Sequence, residues 1–295
     1  MPPWSLRTPS RPNLRAFTLV ELLVTLLLAA LVMGATLSLL AVYVRHFQRV
    51  DALASAQMRG EMVAAILRNP IQHAGLGLSD DVPSQVFPGL GEVQTWGRTL
   101  EATSNDTALR AVYGVPSGLV LVVSDSVTLK ASGSSGDTVA LTLSAPVPAD
   151  MAEVDGTRTK GWVFFAASEK PLRVQALAGA TLTLRNPQST DVTLAPYDEL
   201  LWVRALRATR QGDTLYTEDV TLSPPAPRLE EGSLSDLRFQ VQGGTCTVHV
   251  LACGQGGEGT PGIPPGWPAS FGTVLPAAKA QAPHAYVRAA WRVRN

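Results

Sequence analysis

The chain has 295 residues, 45% apolar and 16% charged, with 24 basic and 24 acidic side chains. That balance excludes disordered and highly charged chains and leaves enough apolar sequence for one large or two small cored domains. A formal net charge of zero also argues against a binder that attracts polyanions with its whole surface, while a local basic patch stays open.

Residues 1–16 read as an unstructured leader with Pro2, Pro3 and Pro12, three arginines (Arg7, Arg11, Arg15) and no acid. Without it, 21 basic and 24 acidic residues remain, a net of −3. A helix is expected to start at Phe17. No proline interrupts it before Pro70, and Asn69-Pro70 is its predicted stop. From Leu22 to Val44 there are 23 residues without a charge. At about 1.5 Å per residue that is roughly 35 Å, enough to cross a hydrocarbon layer of about 30 Å. The sequence therefore divides into a spanning half, 17–44, and an amphipathic half, 45–69. In the second half Phe47, Val50, Ala54, Met58, Met62 and Ala65 recur three or four residues apart, a stripe predicted to pack on a globular domain. Glu21 is the one acid near the start of the apolar stretch. A carboxylate near the centre of a membrane costs about 2.5–3.5 kcal/mol on insertion scales, and less toward the interface, so a partner for it is expected.

The string Ala16-Phe17-Thr18-Leu19-Val20-Glu21, set after a basic leader and before a long apolar helix, resembles the N-terminus of type IV prepilins and type II secretion pseudopilins. The family pattern is a small residue, usually Gly, followed by Phe-Thr-Leu-x-Glu; here Ala16 stands in place of the Gly. The resemblance implies cleavage by prepilin peptidase between Ala16 and Phe17, with methylation of the new amine. It implies an assembly role for Phe17 and Glu21, the acid pairing with the amine of its own chain or of a neighbouring subunit. A secretory signal would place its apolar core before the cut; here the helix stays with the mature chain of 279 residues. The leader arginines favour a cytoplasmic leader and an extracytoplasmic body, anchored once in the inner (cytoplasmic) membrane. Weaker likenesses, over residues 60–77 and 235–295, are to PilW-like minor pilins and J-type minor pseudopilins.

Residues 70–117 read as a polar connection with little periodicity. From Gly118 the pattern is β: Leu119–Val123, Asp137–Leu143, Gly161–Ala166, Ala180–Leu184, Leu237–Val241 and Cys246–Val250 are short apolar or alternating runs. Leu200–Arg204 and Thr214–Tyr216 form a predicted hairpin around Gln211-Gly212-Asp213. Residues 254–283, rich in Gly and Pro, read as a long surface loop. The closing run, residues 285–294, places Arg288, Arg292 and Arg294 on one strand face and Val287, Trp291 and Val293 on the other. The expected class is α+β: a long N-terminal helix packed on a β-rich head, residues 70–295, with antiparallel sheet.

Motifs for chemistry are sparse. His46, His73, His249 and His284 lack zinc-ligand spacing, so each reads as a surface or packing residue, and no metal or cofactor is expected. Gly254-Gln255-Gly256-Gly257-Glu258-Gly259 matches a dinucleotide fingerprint only as a string, because Pro261, Pro264 and Pro265 follow where a helix would have to open. The acid pairs Asp80-Asp81 and Glu230-Glu231 read as solvated loop acids. An extracytoplasmic head permits a disulfide, and on those grounds a Cys246–Cys253 bridge is expected. A straight strand would hold their Cα atoms roughly 23 Å apart, beyond the roughly 7 Å limit, so the bridge requires a turn between them.

Three functional classes follow. A minor pilin or pseudopilin would start or cap a filament, with other major and minor pilins or pseudopilins as partners, in a pilus, a secretion machine or a DNA-uptake machine. A binding module at a pilus tip would touch nucleic acid through Arg288, Arg292 and Arg294, or act in adhesion. A membrane-anchored enzyme finds no support in the motifs, and the expectation is that the chain is not an enzyme.

Overall fold

The computed structural model describes residues 18–76, 78, 83–88, 90–103, 106–148, 154–155, 158–159, 161–168, 170–221, 227–255 and 262–293. Ala16, Phe17, Arg294, the leader, Asp80-Asp81 and residues 256–261 lie outside them. The class is α+β: one long helix and a β-rich head of antiparallel sheets. Contacts divide the chain into two compact units, residues 1–48 and residues 49–295.

Helix α1 runs Leu19–Gln72. The expected stop at Asn69-Pro70 is corrected by one turn, because Pro70 lies inside the helix. Pro70 and Ile71 are buried, and the His73 amide still donates to the Asn69 carbonyl at 3.0 Å. A proline forfeits its own bond and crowds the carbonyl four residues back. Near a helix end that loss falls on a single turn, here one that packing holds in place.

The packed face of α1 is a second correction. Its buried residues are Ala52, Ala56, Gly60, Val63, Ala64, Leu67, Pro70 and Ile71. The predicted stripe is exposed: Phe47 is 63% accessible, Met58 64% and Met62 48%, and Ala54 and Ala65 are also exposed. At about 100° per residue the two stripes lie on roughly opposite sides of the helix. Small residues form the first part of the buried side, Ala52 to Gly60, because the helix comes close to the sheet there: a Cβ on Gly60 would sit 2.5 Å from Val287 Cγ2.

Residues 70–117 are not a plain connection. They hold a short helix α2 (Pro83–Val86), a 3-10 turn (Gly91–Thr95), strand β1 (Leu100–Ala102) and the start of β2 (Ala108–Val120). Gly114 and Pro116 broke the alternation in the sequence, yet β2 pairs with β1 and over most of its length with β11 (Glu199–Gln211). Between β2 and β11 come β3 (Val127–Leu129), β4 (Thr138–Thr142), β5 (Val154–Asp155), β6 (Arg158–Thr159), β7 (Trp162–Phe165), β8 (Leu172–Ala178), β9 (Thr181–Arg185) and β10 (Val192–Leu194). The predicted hairpin at Gly212-Asp213 joins β11 to β12 (Thr214–Asp219), and β12 pairs with β13 (Pro227–Glu231). A separate sheet holds β14 (Leu234–Gln242), β15 (Thr245–Cys253) and β16 (His284–Arg292) in that order.

The larger sheet closes on itself. Its order is β2-β11-β7-β8-β9-β4, and an antiparallel bridge Leu121↔Leu143 returns β4 to the end of β2. The Val122 amide donates to Thr142 O at 2.8 Å and the Ser144 amide to Val120 O at 2.9 Å across that closure. The result is a six-stranded antiparallel barrel carried between β2 and β11. Its interior is filled by Leu121, Leu141, Phe165, Leu172, Leu184 and Trp202 among others, and the antiparallel pair β3–β10 adds Leu129, Val192 and Leu194. A closed ring of this size has room for side chains only.

The long strands β2 and β11 join the barrel to the rest of the head. Leu200 and Trp202 of β11 face the barrel interior and Ala208 faces the α1 core; Leu201, Val203 and Ala205 face a third cluster with Phe87, Val93 and Trp96. The α1 core joins Ala56, Val63, Leu67 and Ile71 to Leu237, Phe239, Val248 and Val250. Part of the predicted surface loop at 254–283 is pinned down. Trp267 is buried, donates from Nε1 to Thr273 Oγ1 at 3.0 Å and packs edge-on against His249 and Tyr286. The Thr273 hydroxyl in turn donates to buried Asp236.

Candidate functional site

Thr18 and Glu21 are locked together at the start of α1. The Thr18 amide and hydroxyl both donate to Glu21 Oε2 at 3.0 Å, and the Glu21 amide donates to Thr18 Oγ1 at 3.3 Å. This is a capping box, in which a threonine and an acid three residues on satisfy each other's backbone donors at a helix start. The Thr-x-x-Glu spacing was legible in the sequence, but the box was not anticipated. It gives Glu21 a partner before any neighbouring chain is invoked, and it uses one carboxylate oxygen.

The apolar half that follows meets the demands of a lipid environment. Leu22, Leu27, Leu31, Val32, Leu37 and Leu40 are all more than half exposed, and this one helix is long and apolar enough to cross a membrane. Its threonine and serine side chains are satisfied within the helix. Thr25 Oγ1 donates to Glu21 O at 2.9 Å, Thr36 Oγ1 to Val32 O at 2.9 Å and Ser38 Oγ to Gly34 O at 3.2 Å. None of these three hydroxyls is left seeking water, which hydrocarbon could not supply.

On β16 the described residues keep the predicted faces, while Arg294 lies outside them. Arg288 and Arg292 are exposed, while Val287, Trp291 and Val293 pack against the α1 core. The strand is the edge of its sheet. Burial lowers the pKa of His249, and the Arg288 guanidinium beside it adds to that. His249 pairs through Nδ1 with Tyr286 Oη at 2.8 Å and through Nε2 with Gln240 Oε1 at 3.2 Å. His284 is likewise buried, and His46 is exposed.

The expected disulfide is corrected. Cys246 and Cys253 are both free and buried, and both lie on β15, which runs unbroken between them against Trp291 and His284 of β16. With no turn between the two positions the thiols cannot meet. Cys246 faces the α1 core, and an odd separation along a strand puts Cys253 on the opposite face. Among the described residues, no group of three or more His, Cys, Asp or Glu side chains could hold a metal ion.

Residues 11–37 match the model of the prokaryotic N-terminal methylation motif. The chain thus carries a type IV prepilin-like signal, continuous with a membrane-length apolar helix. No curated protein and no solved structure matches the chain.

Proposed function

We propose that the protein is a minor pilin or minor pseudopilin that helps to initiate or cap a type IV pilus or a type II secretion pseudopilus. The observation that carries this reading is the methylation motif at residues 11–37 running into a 54-residue helix with a stripe left uncovered beyond the membrane-length segment. Burying a Val, Phe or Met side chain stabilises by about 1.5–3 kcal/mol, so covering Phe47, Val50, Met58 and Met62 with other pilin helices is a strong drive to assemble. The barrel enlarges the head, which suits a low-copy subunit better than a repeating one. Prepilin peptidase releases the Phe17 amine, and the Glu21 carboxylate meets that amine or a neighbouring subunit's, which offsets part of the desolvation of both charges.

Glu21→Val tests the role of the acid. Leader cleavage and head folding stay intact, and co-purification with the other minor subunits falls. Equal recovery and equal filament number for variant and wild type would remove Glu21 from assembly.

A tip module that touches nucleic acid is the second reading, favoured by the exposed Arg288 and Arg292 on the outer face of β16. Arg288→Gln with Arg292→Gln then weakens DNA binding and flattens its salt dependence. Salt-insensitive or absent binding by the unmodified protein would dismiss this reading and leave the assembly role untouched.

A further inference from the structure

A strap, residues 262–282, is fixed to the outer face of the β14–β15–β16 sheet by side chains rather than by backbone. Among the described residues its backbone makes six hydrogen bonds inside the strap, each from an amide to the carbonyl three residues back, such as Trp267 N–H to Pro264 O and Phe271 N–H to Pro268 O. Pro264, Pro265, Pro268 and Pro276 have no amide to offer a ladder. The fixing contacts converge on a small area. Trp267 and Phe271 set their rings edge-on to His249, with centroids 6.4 and 5.0 Å away. Trp267 also meets Tyr286 edge-on at 5.4 Å, and the Arg238 guanidinium lies 5.9 Å over the Phe271 ring. The Thr273 hydroxyl donates to Asp236, and Lys279 Nζ reaches Asp213 at 3.3 Å. Gly266 and Gly272 flank the two rings at φ 94° and 59°, and their freedom gives the strap places to swing.

His249 stands at the centre of this area and is 4% exposed. The strand register sets Arg238, His249 and Arg288 directly opposite one another on one face of the sheet. Gln240 Oε1 can only accept, so His249 Nε2 donates to it at 3.2 Å, and in the neutral ring Nδ1 accepts from the Tyr286 hydroxyl at 2.8 Å. A second proton goes on Nδ1. It reverses the Tyr286 bond and places a third cation in a row of like charges, which destabilises neighbours directly across strands. Of the charged groups that face the ring, Arg238 on β14 is paired with Asp236 at 3.1 Å, Arg288 on β16 disfavours the proton, and Asp106, in the loop after β1, favours it. The strap's one charged side chain, Lys279, sits at Asp213 instead. Trp267 and Phe271 keep water from the imidazole, so a charged ring regains hydration when they withdraw.

We infer that His249 is an acid-released latch: its neutral ring holds the strap closed, and its protonation frees residues 262–282 while the sheet beneath stays folded. Release uncovers the row Asp236, Leu251 and Tyr286, which the register places on the same face as His249. The sign follows from linkage. Burial and Arg288 lower the His249 pKa in the closed state, while in the open state the ring approaches the ordinary value of about 6.5. Closure is therefore fully supported above about 6.5 and loses support as pH falls toward the lower closed-state value.

Hydrogen exchange of the full-length protein in detergent micelles, normalised to the intrinsic rate at each pH, reads strap opening. Protection of the Trp267, Phe271 and Gly272 amides is expected to fall by up to about tenfold per pH unit below about 6.5, while the β15 ladder amides of Val248 and Val250 keep theirs. His249→Gln removes the slope. Arg288→Gln, at an exposed side chain that leaves the fold alone, raises the closed-state pKa, so the fall ends at a higher pH than in the unmodified protein. Strap protection that stays level with pH, a slope unchanged in His249→Gln, or an end point unmoved by Arg288→Gln would overturn the proposal. So would equal loss of protection at Val248 and Val250, which would mean unfolding of the sheet rather than release of the strap.

Discussion

His249 is buried between Gln240, Tyr286, Trp267 and Phe271, and its surroundings resist charging. Burial lowers its pKa first and the Arg288 guanidinium adds to that, while Asp106 opposes it. A histidine lowered in the folded state takes up its proton first in the unfolded chain. Its contribution is therefore fully present above the unfolded pKa of about 6.5 and is lost as pH falls toward the lower folded value. Thermal melting of the full chain is expected at a lower midpoint as pH drops below that point, and His249→Gln flattens the dependence. His284, lowered chiefly by burial, acts with the same sign, so the slope shrinks without vanishing. An unchanged pH slope in the variant would count against this assignment. The cysteines teach a related lesson. Compartment argued for a bridge, but strand geometry decides: burial raises both thiols, Cys246 to about 12, and a thiol held in its neutral form inside a continuous strand is a packing group. Glu21 was legible as an acid in need of a partner. Its nearest partner, Thr18, was written three residues before it in the same string.

At the scale of elements, the long helix was readable and its packed face was not. Periodicity weighted by side-chain size selects Phe47, Val50, Met58 and Met62. The helix instead buries Ala52, Ala56 and Gly60, where small side chains let two backbones approach, and then Val63, Leu67 and Ile71 on the same side. Gly60→Leu therefore drives a side chain into Val287 and is expected to destabilise the head by about 1–3 kcal/mol. Met58→Gln, on the exposed stripe, changes stability by no more than about 0.5 kcal/mol. Denaturant midpoints of the two variants check the assignment, and a reversed order would restore the first reading of the faces. β14, β15, β16 and the β11–β12 hairpin were legible from alternation and turn residues. β2 was hidden by Gly114 and Pro116, because a strand specified by long pairing with β11 tolerates residues that break a local pattern.

For the whole molecule, class and anchor were visible in the sequence, while the barrel was not. Its closure depends on Leu121 meeting Leu143, a pairing between the ends of two strands that no periodicity announces. The barrel hangs on β2 and β11, whose two faces serve three cores. The head can thus carry a large insertion without disturbing the face that meets residues 49–72 of the helix. The central claim, that the chain is made as a prepilin and matured for assembly, is tested most directly at its N-terminus. N-terminal sequencing and mass analysis of the membrane-extracted protein are predicted to find a chain starting at Phe17 with a methylated amine. A mature chain that still begins at Met1 or Pro2 would contradict the account.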